Sequence, residues 1–189
     1  MKKTVLDYAL KIRLPLTLFV IATTFVLTYY ISRPERDGIG YAPEQPLKFS
    51  HKLHAGAMAI DCQYCHTDVA KGRHATIPSV NVCMNCHSVA RKDKPEIIKL
   101  TQYYEEGKPI LWKRIHKVPD YAYFNHSVHV NKGIDCASCH GDLKEMEVVS
   151  QVRQFTMNAC LDCHREPHKN LPYLEKVNIG PENCAACHR

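Results

Sequence analysis

FSHKLHAGAMAIDCQYCH, residues Phe49 to His66, closes on a Cys-x-x-Cys-His pentad. The pentad returns as CMNCH (Cys83 to His87), CASCH (Cys136 to His140), CLDCH (Cys160 to His164) and CAACH (Cys184 to His188). Five copies use all ten cysteines. Two thiols at this spacing add to the two vinyl groups of a haem, and the histidine that follows reaches the iron from one face. A lone Cys-x-x-Cys is also half of a zinc site or a thiol redox pair. Zinc gives no reason for His to follow the second Cys every time, and a disulfide framework would tolerate any residue there. The pattern therefore predicts five covalent haems c. Their thioether residues are Cys62, Cys65, Cys83, Cys86, Cys136, Cys139, Cys160, Cys163, Cys184 and Cys187, and their proximal iron ligands are His66, His87, His140, His164 and His188.

The opening stretch is one copy of a longer repeat. FNHSVHVNKGIDCASCH, Phe124 to His140, aligns with it after one gap, sharing Phe-x-His-x-x-His, the Ile-Asp pair and the pentad. Each copy runs on to a second pentad, so two di-haem units are expected with a fifth haem on a tail. Seven histidines remain outside the pentads. His51 with His54, and His126 with His129, are the strongest distal ligands, because an i, i+3 pair projects two imidazoles from one side of a helical turn toward two irons. The first of each pair is assigned to the haem that follows it and the second to another haem. For the fifth distal position His116, in ILWKRIH, leads; His74, His168 and the methionines Met58, Met84, Met146 and Met157 remain alternatives.

Composition agrees with a cofactor-built core. In 189 residues there are five Phe and one Trp, so haem faces rather than a large aliphatic centre are expected to supply buried apolar area. The formal charge of +6 does not indicate nucleic acid. Ten propionates remove up to ten charges and five ferric centres return five, leaving about +1 oxidised and about −4 reduced. The fold class expected is a multihaem cytochrome c of mainly short α-helices and irregular loops wrapped around haems, with one N-terminal transmembrane helix and little β.

Along the chain, residues 1–13 form a basic cytoplasmic N-terminus with Lys2, Lys3, Lys11 and Arg13. Residues 14–31, LPLTLFVIATTFVLTYYI, carry no charge and read as a transmembrane signal-anchor helix, with Tyr29 and Tyr30 at the interface. A cleaved secretory signal is the competing reading, but no small-x-small site precedes a polar start. The basic flank keeps the N-terminus in the cytoplasm. The haem domain is then placed on the periplasmic or outer side of the inner (cytoplasmic) membrane, where thiols and haem can be joined. Residues 32–48 read as a stalk, 49–90 as di-haem unit 1, 91–123 as an insert, 124–168 as di-haem unit 2 and 169–189 as the fifth-haem tail.

In the insert a helix is expected from Pro95 through Tyr104, stopped by Gly107. ILWKRIH reads either as a partner-docking, haem-covering piece or as an ordinary surface connection. Haem-bearing helices are expected at Val82–Ala90 and Thr156–Arg165. No catalytic residue is assigned, because neither a Ser-His-Asp set, a carboxylate pair nor a glycine-rich phosphate loop occurs. Lys48, Lys52, Arg153 and Arg165 lie in the haem-bearing segments. Pairing with propionates is preferred for them over a role as active-site bases.

FSHKLHAG, IDCQYCH, IPSVNVCMNCH, PILWKRIHKVPDYAYFNHSVH and CLDCHREP together resemble the pentahaem cytochrome c subunit of bacterial alternative complex III, a membrane quinol:electron acceptor oxidoreductase. The likeness covers residues 10–189, and the repeats also resemble class III and c7-type cytochromes. It implies that quinol is oxidised in integral-membrane quinol-binding subunits. Electrons would then cross a large iron-sulfur, molybdopterin-oxidoreductase-like subunit before reaching this chain, which would pass them to a monohaem cytochrome c, another small electron carrier or a terminal oxidase. Membrane lipid is an implied partner and nucleic acid is not. His51, His54, His126, His129 and His116 would be distal ligands by the same likeness. Two other classes stay open: an anchored quinol dehydrogenase cytochrome feeding periplasmic reductases, marked by a high-spin haem, and a free-standing multihaem relay.

Overall fold

The computed structural model describes residues 7–32 and 38–188. The basic pair Lys2 and Lys3, positions 33–37 of the expected stalk and Arg189 lie outside the described residues. Helix α1 (Leu14–Ile31) continues a π-wound turn, Ala9–Arg13. Together Ala9–Ile31 make 23 residues of mean hydropathy 1.8 with none buried, so the helix is long and apolar enough to cross a membrane. At 1.5 Å per residue it reaches about 34 Å, against a hydrocarbon thickness of about 30 Å. Two of its hydroxyls are satisfied within the helix: Thr17 Oγ1 donates to the Arg13 carbonyl and Thr23 Oγ1 to that of Phe19, each at 2.8 Å. Bonding of this kind removes the need for water at such depth.

The rest is helical and irregular, and no strand occurs among the described residues. A second π-wound turn, Lys52–Ala57, precedes α2 (Cys62–Cys65), α3 (Val80–His87), α4 (Pro95–Glu105), α5 (His126–Val130) and α6 (Ala137–His140). A 3₁₀ turn, Leu143–Glu145, then leads to α7 (Met157–Arg165), α8 (Pro167–Asn170) and α9 (Cys184–Cys187). The expected helix at Pro95 extends one residue further, to Glu105. The two expected haem-bearing helices are Val80–His87 and Met157–Arg165, and ILWKRIH has no regular structure. Helices of four or five residues cannot hold themselves together, since nucleation alone costs more than one turn returns. Side-chain caps start several of them: Asp61 accepts from Gln63 N at 2.8 Å, Asn125 from Ser127 N at 3.0 Å, Thr156 from Ala159 N at 3.2 Å and Asn183 from Ala186 N at 2.9 Å. Each such cap contributes about 1 kcal/mol.

Little aliphatic core backs these turns. Among the described residues the buried apolar side chains are Leu47, Val69, Leu100 from α4, Pro167 and Leu171, and Gln151 is a buried polar group. The two repeat halves are instead stitched through backbone groups. His126 N and Ser127 N donate to the carbonyls of Arg73 and Gly72 at 3.3 and 3.1 Å, and Lys52 N donates to that of Met146 at 3.0 Å. Gly56 lies so close to the Lys144 carbonyl that a Cβ has no room there. Residues 40–48, expected as a stalk, lie on the chain itself. Gly40 N donates to Gln151 O and Gln151 N to Tyr41 O, and Gln45 exchanges two bonds with the Lys113 backbone. Lys99 Nζ caps Pro46 O at 2.6 Å, and Glu96 accepts from Lys48 N at 2.9 Å.

Candidate haem centres

Phe-x-His-x-x-His stacks its rings the same way in both repeats, although the first lies on the π-wound turn Lys52–Ala57 and the second on α5. Phe49 lies edge-on to His51 at 4.9 Å and stacks on His54 at 4.4 Å; Phe124 lies edge-on to His126 at 4.8 Å and faces His129 at 4.6 Å. One rigid aromatic thus sets the planes of two imidazoles, a task for which repetition of the phenylalanine was the only sequence signal. His54 Nδ1 donates to Ser50 O at 2.8 Å, His129 Nδ1 to Asn125 O at 2.7 Å and His126 Nδ1 to Arg73 O at 2.8 Å. A carbonyl can only accept, so the proton sits on Nδ1 and Nε2 keeps its lone pair for a metal.

Four of the five pentad histidines are prepared alike. His66 Nδ1 donates to Thr76 O at 2.7 Å, His87 to Ala90 O at 3.2 Å, His164 to Pro181 O at 2.8 Å and His188 to Tyr121 O at 3.0 Å. Thr76 holds φ at 57°, a left-handed conformation uncommon for a β-branched residue, and it is the carbonyl of this residue that meets His66. Tyr121 also stacks on His188, with centroids 5.9 Å apart and planes 22° apart. Gly180 lies against the His164 ring with no space for a Cβ, and its N–H donates to His164 O at 2.9 Å. None of these carbonyl acceptors has a side-chain signature, so sequence patterns do not reveal them.

Three distal candidates face three pentad histidines. Ring centroids are 6.2 Å apart for His54 and His87, 6.4 Å for His126 and His140 with planes only 7° apart, and 6.2 Å for His129 and His164. With a metal–imidazole bond of about 2 Å on each side and about 1.1 Å from Nε2 to each ring centre, two imidazoles on one iron stand about 6 Å apart. The observed separations fit an iron between each pair. Burial foremost, then the influence of His66, His54 and His116, lowers the pKa of His51 to about 4. His140 is lowered to about 3, by burial first and then by His116, His126 and His66. Burial also lowers His116 and His129. All four are thus held neutral, the form that binds metal.

Two buried imidazole nitrogens lack a hydrogen-bond partner, His51 Nδ1 and His116 Nε2. The His116 ring sits edge-to-face on His140 at 4.3 Å and near Phe155 at 6.0 Å, too close to His140 for an iron to lie between the two. His74 and His168 are both exposed. Of the four basic residues singled out from sequence, Lys52 pairs with Glu145 at 3.2 Å and Arg165 with Glu182 at 2.8 Å. Arg153 donates to Ser138 O at 3.2 Å, and Lys48 offers its backbone N–H to Glu96. Among the described residues no group of three or more His, Cys, Asp or Glu converges as a separate metal site would require.

Comparison with known proteins returns two family models. "Class III cytochrome C family" matches residues 29–110, and "Cytochrome c7 and related cytochrome c" matches residues 122–189. The multiheme cytochrome c subunit of a menaquinone reductase from Nitratidesulfovibrio vulgaris is 36% identical over 98 residues, covering 51% of this chain and 46% of that protein. A high-molecular-weight cytochrome c from the same organism is 27% identical over 146 residues, covering 68% of this chain and 25% of that protein. The chain therefore aligns with less than half the length of either relative.

Proposed function

We propose that this chain, a multihaem cytochrome c of the class III and c7 type, is the five-haem electron-relaying subunit of a membrane quinone-linked complex of the alternative complex III kind. Each haem, once attached, supplies a one-electron ferric/ferrous couple whose potential is tuned by its axial ligands and surroundings. The chain's own residues do the rest. The ten pentad cysteines fix five rings, and His66, His87, His140, His164 and His188 ligate from one side. His51 closes the site of His66, His54 that of His87, His126 that of His140 and His129 that of His164; His116, whose Nε2 is buried and unpartnered, is the remaining distal candidate, and its ring lies against His140. The observation that carries the reading is the set of imidazole pairs at 6.2, 6.4 and 6.2 Å, each distal ring turned by an Nδ1–H bond to a carbonyl. A six-coordinate iron has no position for substrate, so such residues build a relay and not a reaction site.

Helix Ala9–Ile31 anchors the chain, with the N-terminus cytoplasmic and the haem domain outside. The two family matches fall on either side of residues 111–121, in keeping with di-haem units at 49–90 and 124–168. Integral quinol-binding subunits, a large iron-sulfur subunit and an external acceptor are the partners. The menaquinone reductase relative favours a second reading in which electrons flow the other way, from an external carrier through this chain to quinone. Purifying the tagged chain from membranes tests both. Copurification with an iron-sulfur subunit and haem reduction by added quinol support the first direction. Haem oxidation by a menaquinone analogue, after reduction by a soluble cytochrome, supports the second. Recovery as a single chain unresponsive to either would defeat the proposal.

A further inference from the structure

We infer that the five attachment sites form one unbranched row, in the order second, first, third, fourth and fifth as numbered along the chain. The ends of the row are the site of Cys83, Cys86 and His87 and the site of Cys184, Cys187 and His188. The inference rests on the five-haem reading above and adds to it where electrons enter and leave.

Each of the four junctions has its own geometry. The second and first sites share the turn that carries His51 and His54: His54 faces His87 at 6.2 Å while His51 lies beside His66. Asn85 Nδ2, inside the second pentad, donates to Tyr64 Oη, inside the first, at 3.2 Å, and Cys65 neighbours both Cys83 and Cys86. The first and third sites meet where the His126–Ser127 backbone N–H groups donate to Arg73 O and Gly72 O, with Cys62 near Cys136 and His66 near His140. Asn131 Nδ2, which donates to Ala70 O at 3.0 Å, holds the second repeat's turn on the first repeat's loop at this junction. The third and fourth sites share the His126–His129 turn, whose rings face His140 and His164, and Cys139 neighbours Cys163 and Cys160. The fourth and fifth sites are joined by the tail: Pro181 O holds His164 Nδ1, Glu182 pairs with Arg165, and Cys160 neighbours Cys187.

Two turns with the same Phe-His-His stacking thus join neighbours within each half, and the Asn131–Ala70 bond and the His126–Arg73 and Ser127–Gly72 bonds join the halves. The order along the chain is not the order in space. Its consequence is a division of surfaces. A donor or acceptor with a one-electron centre reaches the row at the α3 and α4 end, or at the α9 end beside Tyr121 and Tyr123, whose N–H donates to Cys187 O at 2.7 Å.

Nearest-neighbour coupling of midpoint potentials tests the row in the intact holoprotein, with each haem's methyl resonances followed by NMR through a redox titration. His54→Met changes the second site's ligand and raises its potential, and among the other four only the first site's midpoint should move in response. His51→Met, altering the first site, should move the second and the third. Removal of the fifth haem by Cys184→Ala with Cys187→Ala should move only the fourth. If that variant does not accumulate, His129→Met replaces it and should move the third and the fifth. A response of the fourth or fifth site to His54→Met without one at the first overturns the row, as does one site that shifts three others. Fewer than five haems by intact mass in the unaltered protein would instead remove the reading on which the row rests.

Discussion

Replacing Gly180 with alanine tests whether the tail positions a haem ligand. An added Cβ would lie 2.6 Å from His164 Cδ2 and 2.9 Å from His164 Cβ, with Cγ nearer still. Ordinary contact begins at 3.4 Å, so ring and tail must separate by at least about 0.8 Å. The ring cannot yield alone, because its Nδ1 is bonded to Pro181 O at 2.8 Å and its backbone carbonyl to Gly180 N at 2.9 Å. Nor has it slack on the far side, where His129 stands 6.2 Å away, the room needed for one iron. Overpacking of this kind costs about 1–3 kcal/mol, and each strained hydrogen bond adds about 1 kcal/mol. With both bonds strained the cost is about 3–5 kcal/mol, and for a chain of this size the melting temperature should fall by roughly 6–20 °C, at about 2–4 °C per kcal/mol. One haem of the five should become high-spin in the ferric absorption spectrum, since a displacement of that size is a large fraction of a metal–nitrogen bond of about 2 Å. Gly72→Ala is the control, because its nearest neighbour would be the Asp68 carbonyl at 4.0 Å. If Gly180→Ala matches Gly72→Ala in melting and in spin state, the tail does not position His164.

Other perturbations follow from the same geometry. Phe49→Ala removes the wedge between His51 and His54 from a side chain 37% exposed, so it should cost about 2 kcal/mol, below the 3–5 kcal/mol of a fully buried Phe; thermal melting together with mixed high-spin signal from the first and second sites would show it. His116→Ala, read by ferric spin state, should convert one haem of five to high spin, and a wholly low-spin spectrum would remove His116 from the ligand set. Arg165→Ala should leave every haem low-spin, because its pair with Glu182 is open to solvent and the His164 ring is held by a backbone carbonyl instead. Chain produced without haem attachment should show no cooperative transition by calorimetry, since Leu47, Val69, Leu100 and Leu171 are too few to support so many four-residue helices.

Local features of this molecule were readable from sequence because they depend on local chemistry. The pentads, the helix at Pro95 and the repeated Phe-x-His-x-x-His are short-range patterns, and a helical turn converts the i, i+3 spacing directly into two imidazoles on one side. The helical, strand-free character of the described residues follows from a chain with many anchoring points and few apolar runs. What sequence did not disclose acts over distance through groups that every residue carries. Thr76, Arg73, Pro181 and Tyr121 offer only carbonyls, so nothing in their side chains marks them as partners of His66, His126, His164 and His188. The proline-containing stretch before Phe49 reads only as a stalk in sequence, because its bonds go to Lys99, Lys113 and Gln151, far along the chain and without pattern. The place of His116 against His140 depended in the same way on an irregular segment whose path no period describes.

The backbone stitching between the repeats bears on how the protein is made. Arg73 O and Gly72 O wait for His126 and Ser127, and Lys52 N waits for Met146, so bonds belonging to the first unit are completed by residues synthesised more than fifty positions later. A nascent chain that has displayed only its first two pentads can be modified there but cannot yet close around what it has received. The surroundings of the early pentads can therefore be completed only once the second repeat has been made. A truncation after the first repeat would yield a chain with its sulfur chemistry complete and its fold permanently unfinished.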